Sequence, residues 1–138
     1  MTPEMEALGR RAVKCRAWRW MPGMLDQHGR RCVRELHGDI CWAASDRTGL
    51  YWEDAGEWGD RDGKPRPDLS DASTRLAVLD LVRTAWAYPA CWCTGTTIPE
   101  ADGWNWWVQR EDSLGRNVEI GRGKSEAEAL VAALEAAP

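Results

Sequence analysis

The sequence predicts an α+β fold: a mostly antiparallel sheet of about five to six strands, with a central helix and two terminal helices packed on it. Three observations lead there. One long segment, Pro67 to Trp86, repeats its apolar residues with a helical period. Two pairs of short strand-like runs are each joined by a Gly- and Asp-containing turn. The elements run α–β–β–β–α–β–β–β–α, without the strand–helix alternation of a doubly wound parallel sheet.

The central helix is the best defined element. Pro65 and Pro67 push the residues before them to extended geometry, so the helix starts after them. Asp68 or Ser70 can cap it, and Asp71 suits the positive end of its dipole. Leu69, Ala72, Leu76, Leu79, Val82 and Trp86 recur at steps of three and four, and Val78, Leu81 and Ala85 widen the stripe. Pro89 stops it.

The other elements follow in chain order. Thr2 caps a first helix, Pro3 occupies its first turn, and the helix runs to about Cys15, weakened by Gly9. Trp18 and Trp20 alternate with Arg19, so both indoles share a face of an extended segment before the Pro22-Gly23 turn. Residues 31–36 and 40–44 flank His37-Gly38-Asp39 as a hairpin, and Thr48 to Trp52 adds a short strand. Glu53 to Pro67 is rich in Gly, Asp, Glu and Pro and reads as a mobile surface loop. After the central helix come a short strand at Ala90–Thr97 and a hairpin of Trp104–Arg110 and Arg116–Ile120 around Asp112–Gly115. A last helix, Glu126–Ala136, opens with the capping box of Ser125 and Glu128. No internal repeat stands out.

Composition narrows the function. A chain of 138 residues is read as a single α+β domain, 1–138, able to bury a core without disulfides. Five cysteines with no secretory leader, and no apolar run of membrane-spanning length, point to the cytoplasm and away from a membrane. Net charge is −4, yet residues 1–44 carry eight basic against five acidic side chains. That basic end hints at an anionic partner but is too small a surface for sequence-specific duplex DNA binding. Ten tryptophans with no phenylalanine exceed the need of one small core, so three or four indoles are expected to be at least partly exposed.

Catalytic constellations are weak. Gly121-Arg-Gly-Lys-Ser125 sits where a phosphate loop would, but the required first glycine is Val118. His28, Cys32, His37 and Cys41 offer four metal-type ligands at a spacing that fits no common zinc motif, and Cys32 and Cys41 fall in strands. Cys91 and Cys93 share a strand face and read as packing residues. No metal or cofactor is therefore assigned. The stronger pattern interleaves aromatic and basic side chains: indoles stack on bases and guanidinium groups pair with phosphates. Trp18, Trp20, Trp104 and Trp106 are the stacking candidates. Arg19, Arg30, Arg31, Arg110 and Lys124 are the anion-binding ones, and Asn105 can read a base edge.

Three blocks resemble a family of small accessory proteins encoded by tailed phages and prophages: CRAWRWMPGM (Cys15–Met24), PDLSDASTRLAVLDLVRTAW (Pro67–Trp86) and KSEAEALVAALEAAP (Lys124–Pro138). Together they cover about a third of the chain. The helix-and-sheet layout is also similar to phage ABA-sandwich domains. The resemblance implies a phage-borne, non-catalytic protein that counters host defence in the bacterial cytoplasm, and it carries over no catalytic residue. Joined to the aromatic–basic pattern, it leads to the expectation of a sponge for a nucleotide-derived immune signal, with a pocket of the kind often built at a homo-oligomer interface. The alternatives are a protein-binding inhibitor of a host defence complex, of the anti-CRISPR type, and a small Cys/His or zinc enzyme.

Overall fold

The computed structural model describes residues 2–36, 39–46, 49–54, 65–95 and 106–138, with the backbone alone for 34–36, 39–46 and 49–54. The His37-Gly38 turn, most of the Glu53–Pro67 segment, and Trp104 and Asn105 lie outside these residues. The described elements are α1 (Pro3–Ala12), β1 (Arg31–Leu36), β2 (Asp39–Asp46), β3 (Gly49–Asp54), α2 (Ala72–Ala85), β4 (Trp92–Gly95), β5 (Trp106–Glu111), β6 (Asn117–Gly123) and α3 (Glu126–Glu135).

Among the described residues the strands form two antiparallel sheets, β1-β2-β3 and β4-β5-β6, each of three strands, where the sequence predicts one sheet of five to six. The chain divides accordingly into two compact units: Met1–Val13 with Arg19–Ala77, and Lys14–Trp18 with Val78–Pro138. Hairpin pairing is local, so patterning reports each hairpin but says nothing of whether two hairpins share hydrogen bonds.

In the first unit, α1 is capped by Thr2, whose hydroxyl accepts from the Met5 amide at 3.3 Å. Gly9 is more than a weak helix former. A Cβ there would sit 3.0 Å from the Pro67 carbonyl oxygen, so the missing side chain lets α1 approach the extended segment before α2. Leu8, Ala12, Trp20, Met24, Cys32 and Leu69 are buried in this unit.

The helix α2 starts later than the proline signal implies. Its cap is Asp71, which accepts from the Thr74 amide at 2.8 Å, while Asp68 folds a local turn by accepting from the Ser70 amide at 3.0 Å. The buried positions are Thr74, Ala77, Val78, Leu81 and Val82, whereas Leu76 is 65% exposed. The apolar stripe is thus rotated from the one centred on Ala72, Leu76 and Leu79. The misleading residue is Thr74, which looks polar and surface-bound. Its hydroxyl accepts from the Leu25 amide at 2.8 Å and donates to Asp71 at 2.9 Å, so it is satisfied inside.

α2 ends in a Schellman arrangement. The Tyr88 amide donates to the Arg83 carbonyl and the Ala87 amide to the Thr84 carbonyl, with Ala87 at φ 50°. Alanine there bears the left-handed strain that glycine avoids.

In the second unit, α3 lies against the β4-β5-β6 sheet. A Cβ on Gly121 would fall 2.5 Å from the Ala129 oxygen and the Ala133 nitrogen, and one on Gly123 would fall 2.5 Å from the Ala129 nitrogen. Bare strand meets alanine helix. Ser125 caps α3 by accepting from the Glu128 amide at 3.2 Å. The return bond of the box is displaced by one residue, because the Glu128 carboxylate accepts from the Lys124 amide at 2.6 Å.

One loop recurs. In Asp26-Gln27-His28-Gly29-Arg30, Asp26 accepts from the His28 and Arg30 amides and from the Arg30 guanidinium, and Gly29 has φ 76°. In Asp112-Ser113-Leu114-Gly115-Arg116, Asp112 accepts from the Leu114 and Arg116 amides and from the Arg116 guanidinium, and Gly115 has φ 75°. Each loop closes a hairpin, residues 23–25 with 31–32 in one case and β5 with β6 in the other. The D-x-x-G-R pattern is thus a small internal repeat that the sequence reading passes over.

Two stability measurements check this packing. Gly121→Ala is expected to destabilise the chain by about 1–3 kcal/mol in urea unfolding, because the helix must lift off the strand. Ala87→Gly is expected to stabilise it by about 1 kcal/mol by relieving the left-handed strain.

Candidate functional site

Strand parity sorts the second unit's side chains. Trp106 is paired with Gly95 and Gly123, and Val108 with Cys93 and Gly121, so these residues share the face covered by α3. Arg110 lies on that face too, two residues beyond Val108. Trp106 is half-buried, and its ring lies against Gly95, where a Cβ would be 2.7 Å from an indole carbon.

Arg110 and Trp86 make the notable contact. The Arg110 guanidinium sits over the Trp86 ring, 5.6 Å from its centroid. The Trp86 indole is fixed in turn, donating its N–H to the Ala133 carbonyl at 2.9 Å. Arg110 Nε is buried and meets no acceptor among the described residues. Because Nε is enclosed by protein, an anion could meet this arginine only through its outer guanidinium nitrogens.

A second arginine adjoins. Arg83 donates from Nε to the Cys91 carbonyl at 2.9 Å and from Nη1 to Asp80 at 2.9 Å. Both arginines act on the Cys91 thiol, whose pKa burial raises while the two positive charges oppose the rise. Beside Arg83 is a shallow cleft of about 330 Å³, bordered by Thr84, Tyr88 and Pro89. Two cations, two aromatic rings and an opening therefore lie within one unit.

The other face of the same sheet carries Trp92 and Thr94 on β4, Trp107 and Gln109 on β5, and Glu119 and Arg122 on β6. Trp92 and Trp107 are half-buried diagonal neighbours. Arg122 grips Glu119 through two bonds, of 3.1 and 2.9 Å.

The described residues that the sequence singles out fall in both units. Arg19, Trp20, Arg30 and Arg31 belong to the first unit, and Trp18, Trp106, Arg110 and Lys124 to the second. Trp20 is buried. Arg30 holds the buried Asp26 at 2.6 Å, and Arg31 reaches Asp71 at 3.5 Å. These guanidinium groups serve folding: at Asp71 burial opposes ionisation, but bonds from Thr74 and Arg31 outweigh it and lower the carboxyl pKa. Arg19 and Lys124 are exposed. Trp86, Arg83, Trp92 and Trp107, which the structure places beside Arg110 or on the opposite sheet face, are not among the residues that the sequence singles out. The i+3 step from Arg83 to Trp86 and the reversal of face between Trp106 and Trp107 were the available signals.

Cysteine chemistry is poorly supported. Burial, aided by the nearby Glu126 charge, pushes the Cys93 pKa up to about 12, and Cys91 is buried. No group of three or more His, Cys, Asp or Glu able to hold a metal occurs among the described residues, and His37 lies outside them. No helix among them is long and apolar enough to cross a membrane.

Alkylation followed by mass spectrometry checks the thiols. The peptide bearing Cys91 and Cys93 is expected to stay unmodified by iodoacetamide at pH 8 in the folded protein and to react fully in urea. No protein-family model, curated protein or solved structure matches the chain.

Proposed function

We propose that this chain is a non-catalytic binding protein that sequesters a nucleotide-derived ligand, acting in the bacterial cytoplasm as a phage-borne antagonist of host defence. One observation supports the ligand class: the Arg110 guanidinium is laid on the Trp86 indole, pairing a cation with an aromatic ring as a nucleotide's phosphate and base would require. Arg110 would take a phosphate, while Arg83, already paired with Asp80, would add little net charge. Aromatic surface at Tyr88 and Trp86 would accept the base, at about 1–3 kcal/mol for a stacked ring. The phage setting rests on the resemblance of the three sequence blocks and is a separate part of the reading.

The Trp92–Trp107 face favours a second reading, a protein-binding inhibitor. Two half-buried indoles beside an amide and bordered by a charge pair have the make-up of a protein-interface hot spot.

Calorimetric titration with a panel of cyclic di- and trinucleotides separates the two. Under the first reading at least one nucleotide binds, and Arg110→Ala weakens it by about 10–100-fold, or about 1.4–2.8 kcal/mol. If every nucleotide in the panel fails to bind the wild-type protein, the sponge reading falls. Trp107→Ala is expected to leave nucleotide affinity unchanged, because its ring is on the opposite sheet face.

A further inference from the structure

The second unit holds a further cleft, of about 490 Å³, that has no part in the site above. It is bordered by Arg16 and Ala17, by Ala85 at the end of α2, and by Leu134, Glu135 and Ala137 at the end of α3. That volume is in the range of small-molecule sites, about 300–1,000 Å³.

Its charges reduce to one. The Glu135 carboxylate already has a partner. Helix ends concentrate partial negative charge, but here the chain covers its own carbonyls. The Ala87 and Tyr88 amides donate to Thr84 and Arg83 at the end of α2, and the Ala136 and Ala137 amides to Ala132 and Leu134 at the end of α3. Arg16 differs. It is exposed and enters no ion pair among the described residues. Beside it, Ala17, Ala85, Leu134 and Ala137 supply alkyl surface. The cleft thus joins one available guanidinium to an aliphatic wall.

We propose that this cleft binds a short-chain aliphatic carboxylate, of the fatty-acid class. The carboxylate meets the flat guanidinium through paired N–H···O bonds, a geometry that an alcohol cannot complete. The alkyl chain lies on Ala85, Leu134 and Ala137, where each methylene removed from water adds to the affinity. This site goes beyond the nucleotide reading and does not rest on it.

NMR titration of the full chain tests this with acetate, butanoate, hexanoate and octanoate, and with two controls. Inorganic phosphate is an anion without an alkyl body, and hexan-1-ol is the alkyl body without a charge. Hexanoate is expected to shift the Ala85, Leu134 and Ala137 resonances, with affinity rising about two- to fourfold per methylene from acetate to hexanoate. Both controls are expected to bind at least about tenfold more weakly than hexanoate. Arg16→Ala is expected to weaken hexanoate by about tenfold or more, and Arg16→Lys, which keeps the charge but loses the fork, by less. Arg16 is exposed, so thermal unfolding of both variants should be unchanged and a loss of binding will not reflect a loss of fold. The proposal is overturned if no carboxylate shifts these resonances at about 20 mM, or if affinity does not grow with chain length. It is equally overturned if either control binds as tightly as hexanoate, or if Arg16→Ala leaves hexanoate affinity unchanged. Nucleotide binding is read separately with Arg110→Ala, so the two sites stand or fall apart.

Discussion

The second unit depends on the absence of two side chains. Without a Cβ at Gly121 and Gly123, the backbone of α3 can reach that of β6, and Ala129 and Ala133 keep the helix side of the contact equally thin. This close approach has several effects. Val108 is sealed completely, and Ala127, Leu130, Val131 and Leu134 are buried along the helix. It also sets the depth at which the Ala133 carbonyl is offered to the Trp86 indole, and so the plane on which Arg110 rests. A helix one side chain farther out would leave that guanidinium without its support.

Much of the fold was legible because the signals were local. Caps at Thr2 and Ser125, the stop at Pro89, and the hairpin around Asp112–Gly115 each involve residues within a few positions of one another. What failed was non-local. Nothing in either hairpin's own residues says whether it joins a larger sheet, and the polar look of Thr74 concealed a helix face whose hydroxyl bonds to an amide 49 residues away. The loop at Asp26 was hidden for a different reason. His28 and Cys32 have the residue types of a metal site, while Asp26, Gly29 and Arg30 carry the geometry.

The same distinction governs the site. Composition showed that tryptophan and arginine were in excess, and Arg110 was among the residues that the aromatic–basic pattern singled out. Its partner could not be chosen, because Trp86 reaches it across the fold and not along the chain. Strand alternation was readable, and it places Trp107 opposite Trp106. Which of the two faces the helix follows only from the glycines on the neighbouring strands. Arg30 and Arg31 illustrate the converse. Positive charge in a sequence counts as ligand-binding only when the fold has not already supplied the carboxylate, and here Asp26 and Asp71 supply it.

The repeated D-x-x-G-R loop gives the molecule a built-in control. The two copies share one hydrogen-bond scheme but differ in exposure: the Arg30 and Asp26 side chains are 12% and 0% exposed, those of Arg116 and Asp112 70% and 16%. The backbone bonds to Asp112 lower its carboxyl pKa even at the surface, so the wiring alone favours the charged form. Raising ionic strength screens the solvent-facing copy while leaving the buried one nearly untouched. One chain therefore holds the same ion pair in a buried and in a more exposed setting, and the difference between their salt responses reports how far burial shields a pair of fixed geometry from screening.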